Sequence, residues 1–406
     1  MGNHAPLLAA LLALLAGLTI GKAWERYKLR DGRWFDRRKA RETPHYMLGL
    51  NFLVSNQPDL AIEELSKAAT VDSDALEIDL ILGNLYREKG RVGKAIQVHQ
   101  GLLQRPKLKR LEHAYSLLCL GLDYKSGGFV DRAVEAFNEV LRLDSENEYA
   151  LVNLEKLHEE QHQWREAYEI RRRLARTGGA STEARHNETL AFLENELGLE
   201  ALNQEDYKTA AARFTAAIEL DAGTVPAYLH LGDVLLRQGH PADAAATWER
   251  GVAVAADRAY LAFERLESVY AMLGTPDRFP ALCRQLIAAA PQDWRGRVAL
   301  ARHLTARGRP ADALDLLFEA LVHNPHALAV HQAIWRTLRR LNLDSTLVDR
   351  YVELAVDAVF YLDPHVCVHC RYRSTELLWH CPHCHEWNSF VEERIAAAKD
   401  SDETEG

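Results

Sequence analysis

The 406-residue sequence lacks the features that usually carry catalysis or nucleic-acid binding. It holds no glycine-rich phosphate loop, no nucleophile elbow and no pair of carboxylates in surroundings suited to acid–base work. Positive charge is not in excess. The formal net charge is -9, and from Tyr361 to Ile395 three arginines face five acids, so no nucleic-acid partner is expected. Cysteine is scarce, with six in all and no visible disulfide framework, which fits a reducing compartment. With 48% hydrophobic and 26% charged residues, the composition is not that of a disordered chain and can fill one large or several small cores.

The N-terminus supplies one apolar run. From Ala5 to Gly21 there is no charge, and leucines recur on every side of the helix such a run would form. Seventeen residues of helix reach about 25 Å, short of a bilayer core of about 30 Å, so the span is expected to continue to Trp24. A basic stretch follows, from Lys22 to Arg41, while Met1 to Pro6 carries no Lys or Arg. By the positive-inside rule the sequence predicts an anchor at 1–24, its N-terminus outside and the bulk of the chain in the cytoplasm, with 25–42 lying against anionic lipid. A cleaved export signal is the competing reading, but the charge lies on the wrong side of the run for one.

The middle is built on a repeated frame. Gly49, Gly83, Gly121, Gly198 and Gly232 are each followed twelve residues later by alanine, at Ala61, Ala95, Ala133, Ala210 and Ala244. Glu155 with Ala167, Ser268 with Pro280 and Ala301 with Ala313 fit the same frame with one position changed, and most steps between frames are 34 residues. The pattern resembles the tetratricopeptide repeat, in which paired antiparallel helices meet at small residues. Phe137, Phe214 and Trp248 fall four after the second small residue, and Gly90, Gly128, Gly239 and Gly308 mark turns that need a left-handed cap. The expectation is an all-α superhelical solenoid over 43–360: eight repeats to about residue 325, then a less regular pair over His331 to Phe360. Thr177 to Thr182 forms a looser joint. A groove in such an array usually holds a segment of another protein.

Four of the six cysteines stand as two Cys-x2-Cys pairs ten residues apart: Cys367, Cys370, Cys381 and Cys384. Each pair can wrap one ion from a tight turn, and the gap allows a hairpin that brings the turns face to face. Four thiolates close a tetrahedral shell and leave no position for substrate, so the site would build structure rather than catalyse. Sulfur ligands favour zinc, with iron the alternative. The module, placed at 361–395, is too short to bury a core unaided. His365, His369, His380, His383 and His385 crowd it but are expected outside the ligand set. Trp379, Trp387 and Leu377 are expected to dock on the preceding helices. Cys119 and Cys283 fall in helical patterns as buried thiols, and 396–406 is an acidic tail expected to be disordered. His158-Glu159-Glu160-Gln161-His162 matches the zinc-protease signature. In the repeat frame, however, His162 sits where other repeats turn, so the two histidines would straddle a helix end.

Taken together these parts resemble the lipopolysaccharide assembly protein B family of Gram-negative bacteria over nearly the whole chain. The resemblance is carried by the apolar span with its basic flank, by Gly49-Leu-Asn-Phe-Leu-Val-Ser-Asn-Gln57, and by Leu378-Trp-His-Cys-Pro-His-Cys-His-Glu-Trp387. It departs from the family at Arg371, where a glycine is expected. The resemblance implies a rubredoxin-like metal module and a regulatory role at the inner membrane, bringing the deacetylase LpxC to the membrane protease FtsH. A tethered scaffold for lipopolysaccharide synthesis or export proteins without proteolysis is the alternative, and a protease using His158, Glu159 and His162 a remote one.

Overall fold

The predicted small-residue frame corresponds to helices that pack in consecutive pairs. The computed structural model describes residues 44–71, 75–106, 108–177, 183–324, 327–341, 346, 348–349 and 365–393. The expected anchor at 1–24, the basic segment 25–42, the joint at 178–182, most of 342–364 and the tail 396–406 lie outside these. Among the described residues no helix is long and apolar enough to cross a membrane.

Two compact units divide the chain, Met1–Leu157 and His158–Gly406. The first contains α1 (Pro44–Val54), α2 (Pro58–Val71), α3 (Leu76–Glu88), α4 (Val92–Leu103), α5 (Arg110–Ser126) and α6 (Val130–Leu143), and the division falls within α7 (Glu148–Glu160). The second continues with α8 (Trp164–Thr177), α9 (Glu183–Asn203), α10 (Tyr207–Leu220), α11 (Val225–Arg237) and α12 (Pro241–Val254). After a 3-10 turn at Ala256–Ala262 come α13 (Phe263–Met272), α14 (Arg278–Ala289), α15 (Trp294–Ala306), α16 (Pro310–His323) and α17 (Leu328–Leu338). Of the expected ninth pair, α17 and a short 3-10 turn at Arg339–Leu341 are described.

Two features of the frame prove to be a single contact. A Cβ built on Gly121 would lie 2.7 Å from the Phe137 ring, one on Gly198 2.5 Å from Phe214, and one on Gly232 2.2 Å from Trp248. The ring four residues after the second small residue therefore rests on the glycine of the partner helix. The second small residues, Ala61, Ala95, Ala133, Ala210 and Ala244, are themselves fully buried. The Trp248 indole N–H, inside this contact, donates to the Leu229 carbonyl at 3.0 Å. In the second repeat the knob is His99, completely buried beneath Gly83 with Nδ1 2.5 Å from the Asp123 carboxylate, which also accepts from Arg87 at 2.7 Å. This polar knob was not legible in the apolar pattern.

The turns follow the frame equally closely. Gly90, Gly128, Gly239 and Gly308 have φ of 71°, 73°, 82° and 77°. His162 takes the same conformation at φ 56°, as do Asn56 at 55° and Glu205 at 60° without glycine's steric freedom. After Gly239 and Gly308 the next helices open on Pro241 and Pro310, which suit a first turn where the missing N–H has no partner to lose.

The Gly232→Ala substitution forces a methyl into the Trp248 ring and is expected to destabilise by about 1–3 kcal/mol. Gly93→Ala and Gly101→Ala on α4, where an added Cβ meets nothing within 4 Å, should stabilise by about 0.5–1 kcal/mol. Thermal unfolding followed by circular dichroism checks both signs.

Candidate metal centre and its docking face

Residues 365–393 make a three-stranded antiparallel sheet in the order β2-β1-β3, from β1 (His365–Cys367), β2 (Arg373–Ser374) and β3 (Phe390–Glu392). β1 pairs His365 with Ser374 on one side and with Glu392 on the other. The two cysteine turns repeat one geometry. Cys367 N–H donates to the Tyr372 carbonyl and Arg371 N–H to the Cys367 carbonyl, both at 2.9 Å. Cys381 N–H donates to Glu386 at 3.0 Å and His385 N–H to Cys381 at 2.9 Å. Each turn needs a left-handed residue just after its second cysteine, supplied by Arg371 at φ 64° and His385 at φ 59°. The absent glycine at 371 therefore leaves the turn intact, at a steric cost of about 1 kcal/mol.

These turns bring the four Sγ atoms to within 4.8 Å of one another. Cys367 lies 3.6 Å from Cys384, and Cys370 3.6 Å from Cys381. A tetrahedron with metal–sulfur bonds of about 2.3 Å has sulfur–sulfur edges of about 3.8 Å, so the set fits one ion. Among the described residues these four cysteines are the group able to hold a metal, and no histidine belongs to it. The backbone amides of His369 and Cys370 hydrogen-bond Cys367, that of Tyr372 Cys370, and that of Glu386 Cys384. At Cys367 burial works against ionisation but is outweighed by the Ser389 hydroxyl and these amides, bringing the thiol down to about 6. Burial, followed by the neighbouring cysteines, pushes Cys384 up to about 12. A cation among the sulfurs removes that conflict. Cys119 and Cys283 are buried as expected, raised by burial to about 11 and about 12.

The module docks on the preceding helices, as expected, reaching from α7, α8 and α9 to Arg258 and to Arg295 on α15. The Trp387 indole donates to Glu159 Oε1 at 3.0 Å, and its ring stacks on Phe192 at 5.3 Å and meets Trp164 edge-on at 6.1 Å. His385 Nε2 lies 3.1 Å from Glu160. Asn388 accepts from Arg258 at 2.7 Å and donates to Glu188 at 3.1 Å. The Arg258 guanidinium also covers Trp379 at 5.0 Å, and Arg185 pairs with Glu386 at 3.1 Å. Leu377, expected to dock, packs instead with Cys367, Cys381 and Phe390 inside the module. On the far side Arg295 is stacked over Tyr260 at 4.7 Å and paired with Glu392. Beside it a cleft of about 430 Å³ has Tyr260, Trp294, Val298 and Ala299 on one wall and His365, Thr375 and Glu392 on the other.

The protease-like signature is used here. Glu159 is only 3% exposed and faces Trp387, with His380 Nε2 3.4 Å from its Oε2. His158 bonds Gln163 at 2.7 Å, and His162 caps the helix with its ring edge-on to Trp164. The three side chains serve different neighbours. That Glu159 receives the module was not readable from the sequence, because its partner lies 228 positions away.

Fold and site together define a tetratricopeptide-repeat protein carrying a four-cysteine module. The tetratricopeptide repeat family matches residues 46–107, 195–277 and 280–327, and the rubredoxin metal binding domain matches 365–392. Lipopolysaccharide assembly protein B of Escherichia coli (strain K12) is 25% identical over 354 residues, 85% of this chain and 88% of that one. The protein of that name from Haemophilus influenzae is 24% identical over 361 residues, with the same coverage of each. Among solved structures, the C-terminal part of a TPR repeat-containing protein from Cytophaga hutchinsonii superposes with a TM-score of 0.43 at 14% identity, covering 63% of this chain and 99% of that one. Over most of its length the chain is thus similar to proteins named lipopolysaccharide assembly protein B, with tetratricopeptide repeats followed by a rubredoxin-type metal binding module.

Arg371→Gly should relieve the left-handed strain in the first turn. The net gain, after the larger backbone entropy of glycine, is at most about 0.5 kcal/mol. It should be read as slower metal loss to a chelator.

Proposed function

We propose that the chain is a non-enzymatic adaptor at the inner membrane that presents the deacetylase LpxC to the protease FtsH and so restrains lipopolysaccharide synthesis. The observation that carries this reading is the match along 85% of the chain to proteins named for lipopolysaccharide assembly. Residues 1–24 anchor the chain with the N-terminus in the periplasm and the rest in the cytoplasm, and the basic flank at 25–42 rests on lipid. Confinement to the membrane of the protease raises the effective concentration of a bound client for it, without any catalytic group. Cys367, Cys370, Cys381 and Cys384 ligate one ion, zinc in preference to iron on the softness of four sulfurs. The module thus held supplies one wall of the cleft at Arg295, where a client segment would lie between it and the repeats.

The half-life of LpxC in cells tests the reading. It should lengthen when the protein is absent, when residues 1–24 are deleted, and when Cys381→Ser removes a ligand. An unchanged half-life in the complete absence of the protein would favour a scaffold for lipopolysaccharide synthesis or transport proteins instead.

A further inference from the structure

Glu159 stands out among the buried charges of the second unit. It is a carboxylate 3% exposed at the end of α7, and the donor that reaches its Oε1 is the indole N–H of Trp387, three residues beyond the ligand candidate Cys384. The module has only a small core: Cys367, Cys381, Val366 and Phe390 are buried, with Cys370, Cys384, Leu377 and Leu378 packed around the sulfurs. A fragment so small stays folded only while a metal holds it, so metal binding, folding and docking are one linked equilibrium. Free energy gained where the module meets the repeats then appears as metal affinity.

We infer that Glu159 is a positioning residue for the metal: by accepting the Trp387 indole hydrogen it sets how tightly the four cysteines hold their ion, though it is not itself a ligand. Its oxygen fixes the indole, the indole lies flat on Phe192, and Trp387 fixes the loop that follows Cys384. The next residue in that loop, Asn388, is clamped between Arg258 and Glu188, so the docked loop has one position. Without the acceptor, the indole N–H, held against the buried Glu159 site, loses its partner in the docked state, and the docked, metal-loaded form loses what the released form does not.

The inference rests on the cysteines binding a metal, which the metal content of the purified full chain checks separately. The test mixes zinc-loaded full chain with an excess of a chelating dye and follows release. Glu159→Ala should release zinc about 10–100-fold faster than the parent. Glu159→Gln keeps an amide oxygen in place of the acceptor and should release at close to the parent rate. Trp387→Phe keeps a ring on Phe192 without the N–H and should match Glu159→Ala, and the double variant should add nothing further. Trp387→Phe leaves the repeats untouched, so it keeps the test open if Glu159→Ala does not fold. Release by Glu159→Ala at the parent rate, or by Glu159→Gln as fast as by Glu159→Ala, overturns the inference alone. A purified parent chain without stoichiometric metal overturns the metal reading and this inference with it.

Discussion

Four sulfurs held within 4.8 Å of one another are the constraint on which the C-terminal module and its place on the repeats depend. Thiols that close cannot all ionise side by side, because each thiolate raises the cost of the next. Cys367 is drawn down by the Ser389 hydroxyl and backbone amides while burial holds Cys384 up. A divalent ion held among the four sulfurs would resolve this and close both turns. The strands of two or three residues on either side could not hold the turns together by themselves. Trp379, Trp387 and Asn388 reach the repeats because the turns point them there.

The repeats meet this module with a surface prepared for it. Their own cohesion comes from rings set on glycines, Phe214 on Gly198 and Trp248 on Gly232, and owes nothing to the metal. Beside the apolar seat of Trp387 on Phe192 and Trp164, the groups turned toward the module include Glu159, Glu188, Arg258 and Arg295, which find specific polar partners there. Such contacts favour one docked position over a general apolar adhesion. The same position forms one wall of the cleft at Arg295, so the shape of that cleft follows from where the module docks.

Much of the fold was legible because it depends on local spacing. The twelve-residue step between small residues locates helix contacts, and the turn seven residues after the first small residue recurs whether the residue is Gly90, His162, Asn56 or Glu205. The cysteine spacing likewise gives the four sulfurs that the structure brings together. Legibility fails where a contact joins distant parts of the chain. Nothing near Glu159 names Trp387, and nothing near Glu188 names Asn388. It fails again at His99, where a charged network with Asp123 and Arg87 fills a place the pattern assigns to an apolar side chain. Leu377 shows the same limit in reverse, since an apolar residue beside two docking tryptophans faces its own small core.

The most direct test of metal-dependent docking is amide hydrogen exchange on the full chain, metal-loaded and after stripping by a chelator. Exchange should rise in the last turn of α7 and along α9, where the module rests, while α11 and α12 around Trp248 keep their protection. Unchanged protection of α9 after the metal is gone would show that the module stays folded and docked without it, and would contradict the account.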